Sequence, residues 1–522
     1  MIVLGIHSHR GGHNAAASIL IDGRLVASVE EERISRIKGD SAYPAGAVAE
    51  VLALAGLRAQ DVDRVAQAGL ACDQPLGVLA DKPCQVVEHQ QAHAASAYYA
   101  SPFGDERVGV LTLDGEGDAS SGSVWVGEAG CLRKVVYLPR QSSMGLLYAA
   151  ITQYLGFIAG RHEGKVLGLA AFGQPQPFLS RLLARSHPGD WNALFDAHLG
   201  ALLCSPWSPM ARDVLRDLCG DMPHEDIAAG LQTFTEQMVC TWVQQQMAVL
   251  NVNKLVLAGD VFANVKLNQR ILALPGVQNL FVPPNMGDGG LASGAAFEIH
   301  ARLHGGLRPE LASAYLGTDI DRASALQALQ KAGMAFEEPV NLAQTVAQLL
   351  AEGQVIARAD GKMEYGPRAL GNRTVMASAH DPRINQWLNQ QFARTEFMPF
   401  APVILLEQAS AYFPGWDADQ IAARFMTLTY DASDLAQKNI PAAVHVDGTA
   451  RPQVLRREDN PGYHDILKAY HVATGIPSVI NTSFNMHEEP IVRTADEAMG
   501  TFQTAGLDAL VLGPFLVRAS AQ

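Results

Sequence analysis

His89 and His93 stand four residues apart in the run His89-Gln-Gln-Ala-His93. On a helix that spacing puts both imidazoles on one face, about one turn apart, close enough for both to bind one metal ion. Two carboxylates sit where strands give way to glycine-rich turns: Asp114 before Gly115-Glu-Gly117, and Asp288 within Gly287-Asp-Gly-Gly290. Two histidines with carboxylates suit iron(II) or a similar divalent metal that keeps positions open for substrate oxygens. Two histidines on a solvated helix face show the same spacing, so spacing alone leaves both readings open.

Glycine-rich turns at Gly11-Gly12, Gly115 to Gly122, Gly259 to Asn264 and Gly287 to Gly290 each follow a strand. Backbone N–H groups in such turns can cradle phosphate, although a lone glycine cluster also marks an ordinary turn. Neither G-x-x-x-x-G-K-[ST] nor a helix-opening G-x-G-x-x-G occurs, so P-loop and dinucleotide folds lack their fingerprint. Lys165, in Arg161-His-Glu-Gly-Lys165, precedes the apolar run Val166 to Ala171, a costly place for an ammonium that meets no anion. Further on, Lys362, Arg368 and Arg373 lie within Gly361 to Arg373, preceded by Arg358 and followed by His445 to Arg451 and Asn481-Thr-Ser-Phe-Asn485. Guanidinium groups with compact hydroxyl and amide side chains are what a polyphosphate site needs, while surface ion pairs are the alternative reading.

The elements that must position these groups are legible in outline. Ile2 to Ile6, Ala17 to Ile21 and Leu25 to Val29 read as three strands, the last two joined by Asp22-Gly23, a type I′ hairpin turn. A similar meander recurs at Val108 to Asp114, Gly122 to Val126 and Lys134 to Leu138, so the layout looks duplicated. Ala92 to Ala100 is predicted helical, and Ile227, Leu231, Phe234, Met238 and Trp242 form an amphipathic stripe expected to face a core. A strand at Lys254 to Ala258 and a helix at Asn264 to Leu272 come next. The class is α/β, with a predicted division into residues 1–340 and 341–522.

Composition narrows the partners. The chain has 522 residues, 48% hydrophobic and 18% charged, with 47 glycines, the profile of an α/β enzyme. Its formal charge is −14 and no basic stripe is present, which argues against a nucleic-acid partner. Cys72, Cys84, Cys131, Cys204, Cys219 and Cys240 form no C-x-x-C pair, and no apolar run approaches a membrane span. A cytoplasmic protein without a membrane partner is expected.

Glu30-Glu-Glu-Arg-Ile-Ser-Arg36, His89 to His93, Glu163-Gly-Lys165, Val261 to Asn268, Gly366-Pro-Arg-Ala-Leu-Gly-Asn-Arg373, His445 to Arg451 and Asn481 to Asn485 occur in this order along nearly the whole chain. Together they resemble the O-carbamoyltransferase family, which includes tobramycin, cephalosporin and nodulation-factor carbamoyltransferases. The resemblance implies an N-terminal domain with the duplicated actin/sugar-kinase-like fold of the threonylcarbamoyl transferases, and a C-terminal YrdC-like α/β domain. It implies that the C-terminal domain converts carbamoyl phosphate and ATP, with Mg2+, to carbamoyladenylate. This intermediate then migrates within the protein to a metal site in the first domain, where a small-molecule acceptor is carbamoylated, as in antibiotic and other natural-product biosynthesis. By the same resemblance His89, His93, Asp114 and Asp288 hold the metal, with Fe2+ the first candidate, and His13 is the base. Lys165, Gly259 and Asn264 line the adenylate site. Lys362, Arg368, Arg373, Arg394, Arg451, Thr482, Ser483 and Asn485 bind ATP and carbamoyl phosphate. A homodimer is left open.

Three positions depart from the pattern of many relatives. Asn14 follows His13 where an aspartate is usual, so a carboxylate beside the base is missing. Gly259-Asp260 replaces a Gly-Gly pair and places a charge near the adenylate. Arg394-Thr-Glu-Phe-Met-Pro399 has Met398 where an arginine is usual, which shifts the phosphate contact towards Arg394. Two rival readings are a tRNA-modifying threonylcarbamoyl transferase, which the net charge disfavours, and an actin-like ATPase or binding module, which leaves the C-terminal Arg/Asn/Ser set unexplained.

Overall fold

A computed structural model describes residues 1–8, 12–70, 77–305, 311–394 and 397–519. Gly11 of the first glycine-rich turn, Cys72 and the Thr395-Glu396 pair lie outside the described residues. The chain folds as two compact units: Met1–His13, Leu20–Arg24 and Gln60–Leu311 make the first, and Asn14–Ile19, Leu25–Ala59 and Ala312–Gln522 the second.

The strands of the N-terminal half are β1 (Ile2–His7), β2 (Ala16–Ile21), β3 (Arg24–Glu30), β4 (Arg64–Ala68), β5 (Cys84–Val87), β6 (Val108–Gly117), β7 (Ser120–Glu128), β8 (Cys131–Pro139), β9 (Lys254–Ala258) and β10 (Asn279–Phe281). They form two five-stranded sheets, ordered β3-β2-β1-β4-β5 and β8-β7-β6-β9-β10. The sheets match position by position, with β1, β4 and β5 parallel in one and β6, β9 and β10 parallel in the other. The duplication anticipated from the two meanders is thus present, in the actin-like form that the family resemblance implies. Asp22 (φ 47°) and Gly23 (φ 83°) both take positive φ, as a type I′ turn requires.

Five helices carry or support the groups singled out above: α1 (His89–Ala100), α2 (Glu163–Leu169), α3 (His224–Leu250), α4 (Val265–Leu272) and α5 (Leu291–Leu303). The α1 helix begins three residues before the predicted start because Glu88 caps it, accepting hydrogen bonds from the backbone N–H groups of Gln90 and Gln91. The apolar stripe of α3 is buried as expected, with the Trp242 ring tilted against Trp191 at 4.9 Å between centroids. The α1 and α5 helices cross where neither has a bulky side chain; a Cβ on Gly294 would come within 1.9 Å of the Ala92 carbonyl oxygen. Among the described residues no helix is long and apolar enough to cross a membrane, and Cys131, Cys204, Cys219 and Cys240 are free thiols.

The second unit is built on a seven-stranded mixed sheet. Its strands run in the order Gln453–Leu455, Ala401–Leu405, Ser478–Ser483, Arg373–Ala377, Ile356–Ala359, Ala509–Leu512 and Phe515–Arg518. Helices α6 (Leu342–Ala351) and α7 (Pro461–Thr474) pack on it, closing a core that includes Leu350, Ile356, Met376, Val403, Tyr463 and Val511.

Candidate metal centre and anion site

In the first unit the chemistry collects at the carboxyl ends of parallel strands, the edge at which open α/β sheets bind their ligands. His7 ends β1, Asp114 lies near the end of β6, Asp260 comes after β9 and Asp288 after β10. The α1 helix brings in His89 and His93. Ligand atoms of His89, His93, Asp114 and Asp288 all lie within 4.8 Å of one another, and all four side chains are buried. His89 Nε2 is 2.8 Å from Asp114 Oδ2 and 3.6 Å from Asp288 Oδ1; His93 Nε2 is 3.4 Å from each of these oxygens. The sequence spacing therefore resolves in favour of convergence, not a solvated helix face.

The surroundings explain how the cluster is held. Asp118 accepts a hydrogen bond from the His89 backbone N–H at 2.8 Å, and the Gly115 N–H donates to Asp114 Oδ1 at 2.8 Å. Gly117 leaves room for the His89 ring, which a Cβ there would meet at 2.1 Å. Burial disfavours charge on His93, but the Asp114 and Asp288 carboxylates outweigh it and raise its pKa to about 10; His89 is raised for the same reason. Burial alone would raise the pKa of Asp114 and Asp288, and the histidines instead hold both below the ordinary carboxylate range. The neighbouring His7 is depressed to about 4 because burial outweighs the attraction of Asp288.

The four residues fit a divalent cation on this structure's own terms. Asp288 Oδ1 and both ring nitrogens of His93 are buried without a hydrogen-bond partner, and Asp114 Oδ2 faces both imidazoles. Two neutral imidazoles and two carboxylates supply borderline and hard donors that suit Fe2+, Mn2+ or Zn2+.

His13 stands at the edge of this cluster, half-buried, with Nε2 3.3 Å from Asp260 Oδ2 and Nδ1 3.8 Å from Asp288 Oδ2. Asp260 thus supplies the carboxylate that Asn14 does not; Asn14 instead donates to Glu30 at 3.2 Å. Crowding by protein atoms raises the pKa of Asp260 to about 7, with His13 opposing the rise and the like charges of Asp114 and Asp288 adding to it. Gly259, at φ 97°, turns the chain where a Cβ would meet the Leu113 carbonyl oxygen at 2.1 Å. Asn264 caps α4, accepting from the Leu267 N–H at 3.0 Å and donating to Gln232 at 2.8 Å. Lys165 is a buried residue of α2.

Of the eight predicted anion-binding residues, Arg373, Thr482 and Ser483 lie at the ends of adjacent strands in the second unit, and Asn485 comes two residues after Ser483. Thr374 pairs with Ser483 and Val375 with Thr482 across the sheet, which sets Arg373 beside Thr482-Ser483. The Arg394 guanidinium donates to Thr482 Oγ1 at 3.0 Å, to the Ser483 carbonyl at 2.9 Å and to Asn485 Oδ1 at 3.1 Å. Arg373 is fully buried, and its guanidinium donates to the backbone carbonyls of Asp360, Asn372, Thr318 and Arg493. Arg368 is half-buried in the loop before Arg373, Lys362 is exposed on the strand Gly361–Glu364, and Arg451 lines a small concavity with Met398, Thr429 and His445.

Glu364 is not distinguished by its residue type or spacing. One of its oxygens accepts the backbone N–H groups of Leu370, Asn372 and Arg373 at 2.8, 2.8 and 3.0 Å, and so shapes the loop that carries Arg368. His7 is visible in sequence only as the start of a polar stretch; its burial against Asp288, at 3.8 Å, is a tertiary fact.

Two family profiles match the chain, Carbamoyltransferase N-terminus over residues 66–297 and Carbamoyltransferase C-terminus over residues 347–519. The chain is 32% identical to nodulation protein NolNO of Sinorhizobium fredii over 97% of its own length and 79% of the relative's. It is 33% identical to nodulation protein NolO of Bradyrhizobium diazoefficiens over 83% of its length and 79% of the relative's. Similar solved structures include component A of the (R)-2-hydroxyglutaryl-CoA dehydratase of Acidaminococcus fermentans, at 16% identity and a TM-score of 0.35 over 57% of this chain and 96% of that one. HypF of T. kodakarensis is similar at 14% identity and a TM-score of 0.35, over 59% of this chain and 48% of that one. On the profile matches and the relatives at this identity and coverage, the chain belongs to the carbamoyltransferase family and is a transferase enzyme.

Proposed function

We propose that this carbamoyltransferase makes its own activated donor, converting carbamoyl phosphate, ATP and water to carbamoyladenylate, pyrophosphate and phosphate in the second unit, and transferring the carbamoyl group to the acceptor with release of AMP in the first. The acceptor is a hydroxyl or amine of a small molecule. The observation that carries the reading is the buried His89/His93/Asp114/Asp288 tetrad in a chain of this family. A divalent metal held there, Fe2+ being the first candidate, supplies Lewis-acid polarisation of the carbamoyl carbonyl.

The chain's own residues do the remaining work. Arg368, Lys362 and Arg451 balance the charge of carbamoyl phosphate and of ATP, which binds with Mg2+. Arg394 orders Thr482, Ser483 and Asn485, whose compact donors then meet phosphate oxygens. Arg373, with four carbonyl partners, fixes the backbone of this loop. In the first unit Lys165, Gly259 and Asn264 hold the adenylate, and His13 takes the acceptor's proton with the Asp260 carboxylate beside it. Residues 174–225 shape the acceptor pocket.

The test is to mix the protein with ATP and carbamoyl phosphate, without acceptor, and follow AMP-containing products by mass spectrometry against an Arg368→Ala control. Carbamoyladenylate or AMP formed only when carbamoyl phosphate is present is the expected result. ATP turnover to ADP that ignores carbamoyl phosphate would move the reading to an actin-like ATPase. No adenylation by folded, metal-loaded protein would remove the donor assignment.

A further inference from the structure

We infer that the first unit holds a second divalent cation, bound by His13, Asp260 and Asp288, with Asp288 bridging it to the His89/His93/Asp114 site.

The geometry assigns each Asp288 oxygen to a different set of partners. Oδ1 faces His89 Nε2 at 3.6 Å and His93 Nε2 at 3.4 Å. Oδ2 faces His13 Nδ1 at 3.8 Å and His7 Nε2 at 3.8 Å. Ligand atoms of His13, Asp260 and Asp288 lie within 4.8 Å of one another, the same convergence as in the first cluster. A carboxylate with one oxygen turned to each of two donor sets is the usual bridge of a two-cation centre, whose ions lie about 3.5–4 Å apart.

A second, independent observation points to a ligand on the Oδ2 side. His7 is only 1% exposed, and neither of its ring nitrogens has a hydrogen-bond partner, yet Nε2 is directed at Asp288 Oδ2. A buried imidazole left in this way is costly unless a cation or a bound ligand completes its surroundings. The backbone also accommodates Asp260 specifically, since a Cβ on Gly287 would meet Asp260 Oδ1 at 1.9 Å. The buried carboxylates of Asp114 and Asp288 and the part-exposed one of Asp260 then converge on the same region, a set of oxygen donors that a second divalent cation would complete.

This inference rests on the carbamoyl-transfer reading only for its consequence and changes that reading in one respect: in the loaded protein His13 is a ligand, and the second positive charge beside the acceptor hydroxyl, in place of a free imidazole, eases loss of the hydroxyl proton. The site itself is tested without carbamoyl phosphate, ATP or acceptor. Metal-stripped full-length protein is titrated with Mn2+ by calorimetry, and the Mn2+ electron paramagnetic resonance spectrum is recorded at each equivalent. Wild type should take up about two equivalents, the second producing the broadened, spin-coupled signal of neighbouring ions. Asp260→Asn should bind one equivalent with an isolated-ion spectrum, and His13→Gln should do the same, with circular dichroism confirming both folds. Wild type saturating at one equivalent, or Asp260→Asn and His13→Gln both retaining the coupled signal, overturns the second site. Adenylation measured separately reports on the donor chemistry, so either proposal can fail alone.

Discussion

At the residue scale the tetrad is a site at which protons would compete with a bound metal. His93, raised to about 10 because two carboxylates face it, is cationic in the metal-free protein through the neutral range, and His89 is raised in the same direction for the same reason. A metal needs neutral imidazoles, so binding must expel those protons. The sign is then fixed: apparent metal affinity rises with pH up to His93's own pKa and falls as the solution is acidified. The expected slope of log affinity against pH is about one to two, which chelator-competition titrations across the neutral range would read. A flat profile would mean that the imidazoles are not ligands. Removing one ligand goes further, and His89→Ala should cost more than the roughly 10–100-fold typical of losing an outer partner of a ligand. In the anion site, Arg394→Ala strips the partners from Thr482, Ser483 and Asn485. It should lower kcat/KM for adenylation by about 10–100-fold, as losing two or so charge-assisted hydrogen bonds would.

At the element scale, the site depends on how closely α1 and α5 approach. The Gly294 Cβ position is 1.9 Å from the Ala92 oxygen and 2.9 Å from the Ser96 nitrogen, both backbone atoms that cannot swing aside. Gly294→Ala must therefore push apart the helix that carries His89 and His93 and the helix that Asp288 precedes. About 1–3 kcal/mol of stability should go, with a fall in metal affinity alongside the lower melting temperature. Gly500→Ala is the contrast, since it lies in the helix Ala495–Ala505 with open space around its Cβ and should stabilise by roughly 0.4–1 kcal/mol. The elements themselves are legible where local chemistry decides them. Asp22-Gly23 announces its turn, and the α3 stripe announces its buried face. Glu88 as the cap that starts α1 at His89 escapes a reading of the sequence, because a lone glutamate carries no distinctive cap signal. His7 and Glu364 are invisible as functional residues for a different reason: one faces Asp288 and the other gathers three loop N–H groups only after distant strands have paired. The matching order of the two five-stranded sheets can be anticipated from the repeated meander, whereas the company that residues 25–59 keep with residues 312–522 has no local signature.

At the scale of the whole molecule, the proposed reading gives donor synthesis and carbamoyl transfer to residues in different compact units, so single substitutions should separate them. Arg368 lies in the second unit and His89 in the first. Arg368→Ala should abolish ATP-dependent adenylation yet carry out transfer when carbamoyladenylate is supplied. His89→Ala should still form AMP from ATP in the presence of carbamoyl phosphate but deliver nothing to an acceptor. The two variants test different failures: one lacks charge balance at the phosphates, the other lacks a ligand at the reacting carbonyl. Single-turnover assays read both, by mass spectrometry of AMP products and of carbamoylated acceptor. The donor half of this comparison needs no knowledge of the acceptor. Loss of both steps in a variant whose circular dichroism and melting temperature match wild type would mean that one site performs both reactions. Full transfer by metal-free His89→Ala would remove the tetrad from the chemistry while leaving the adenylating unit intact.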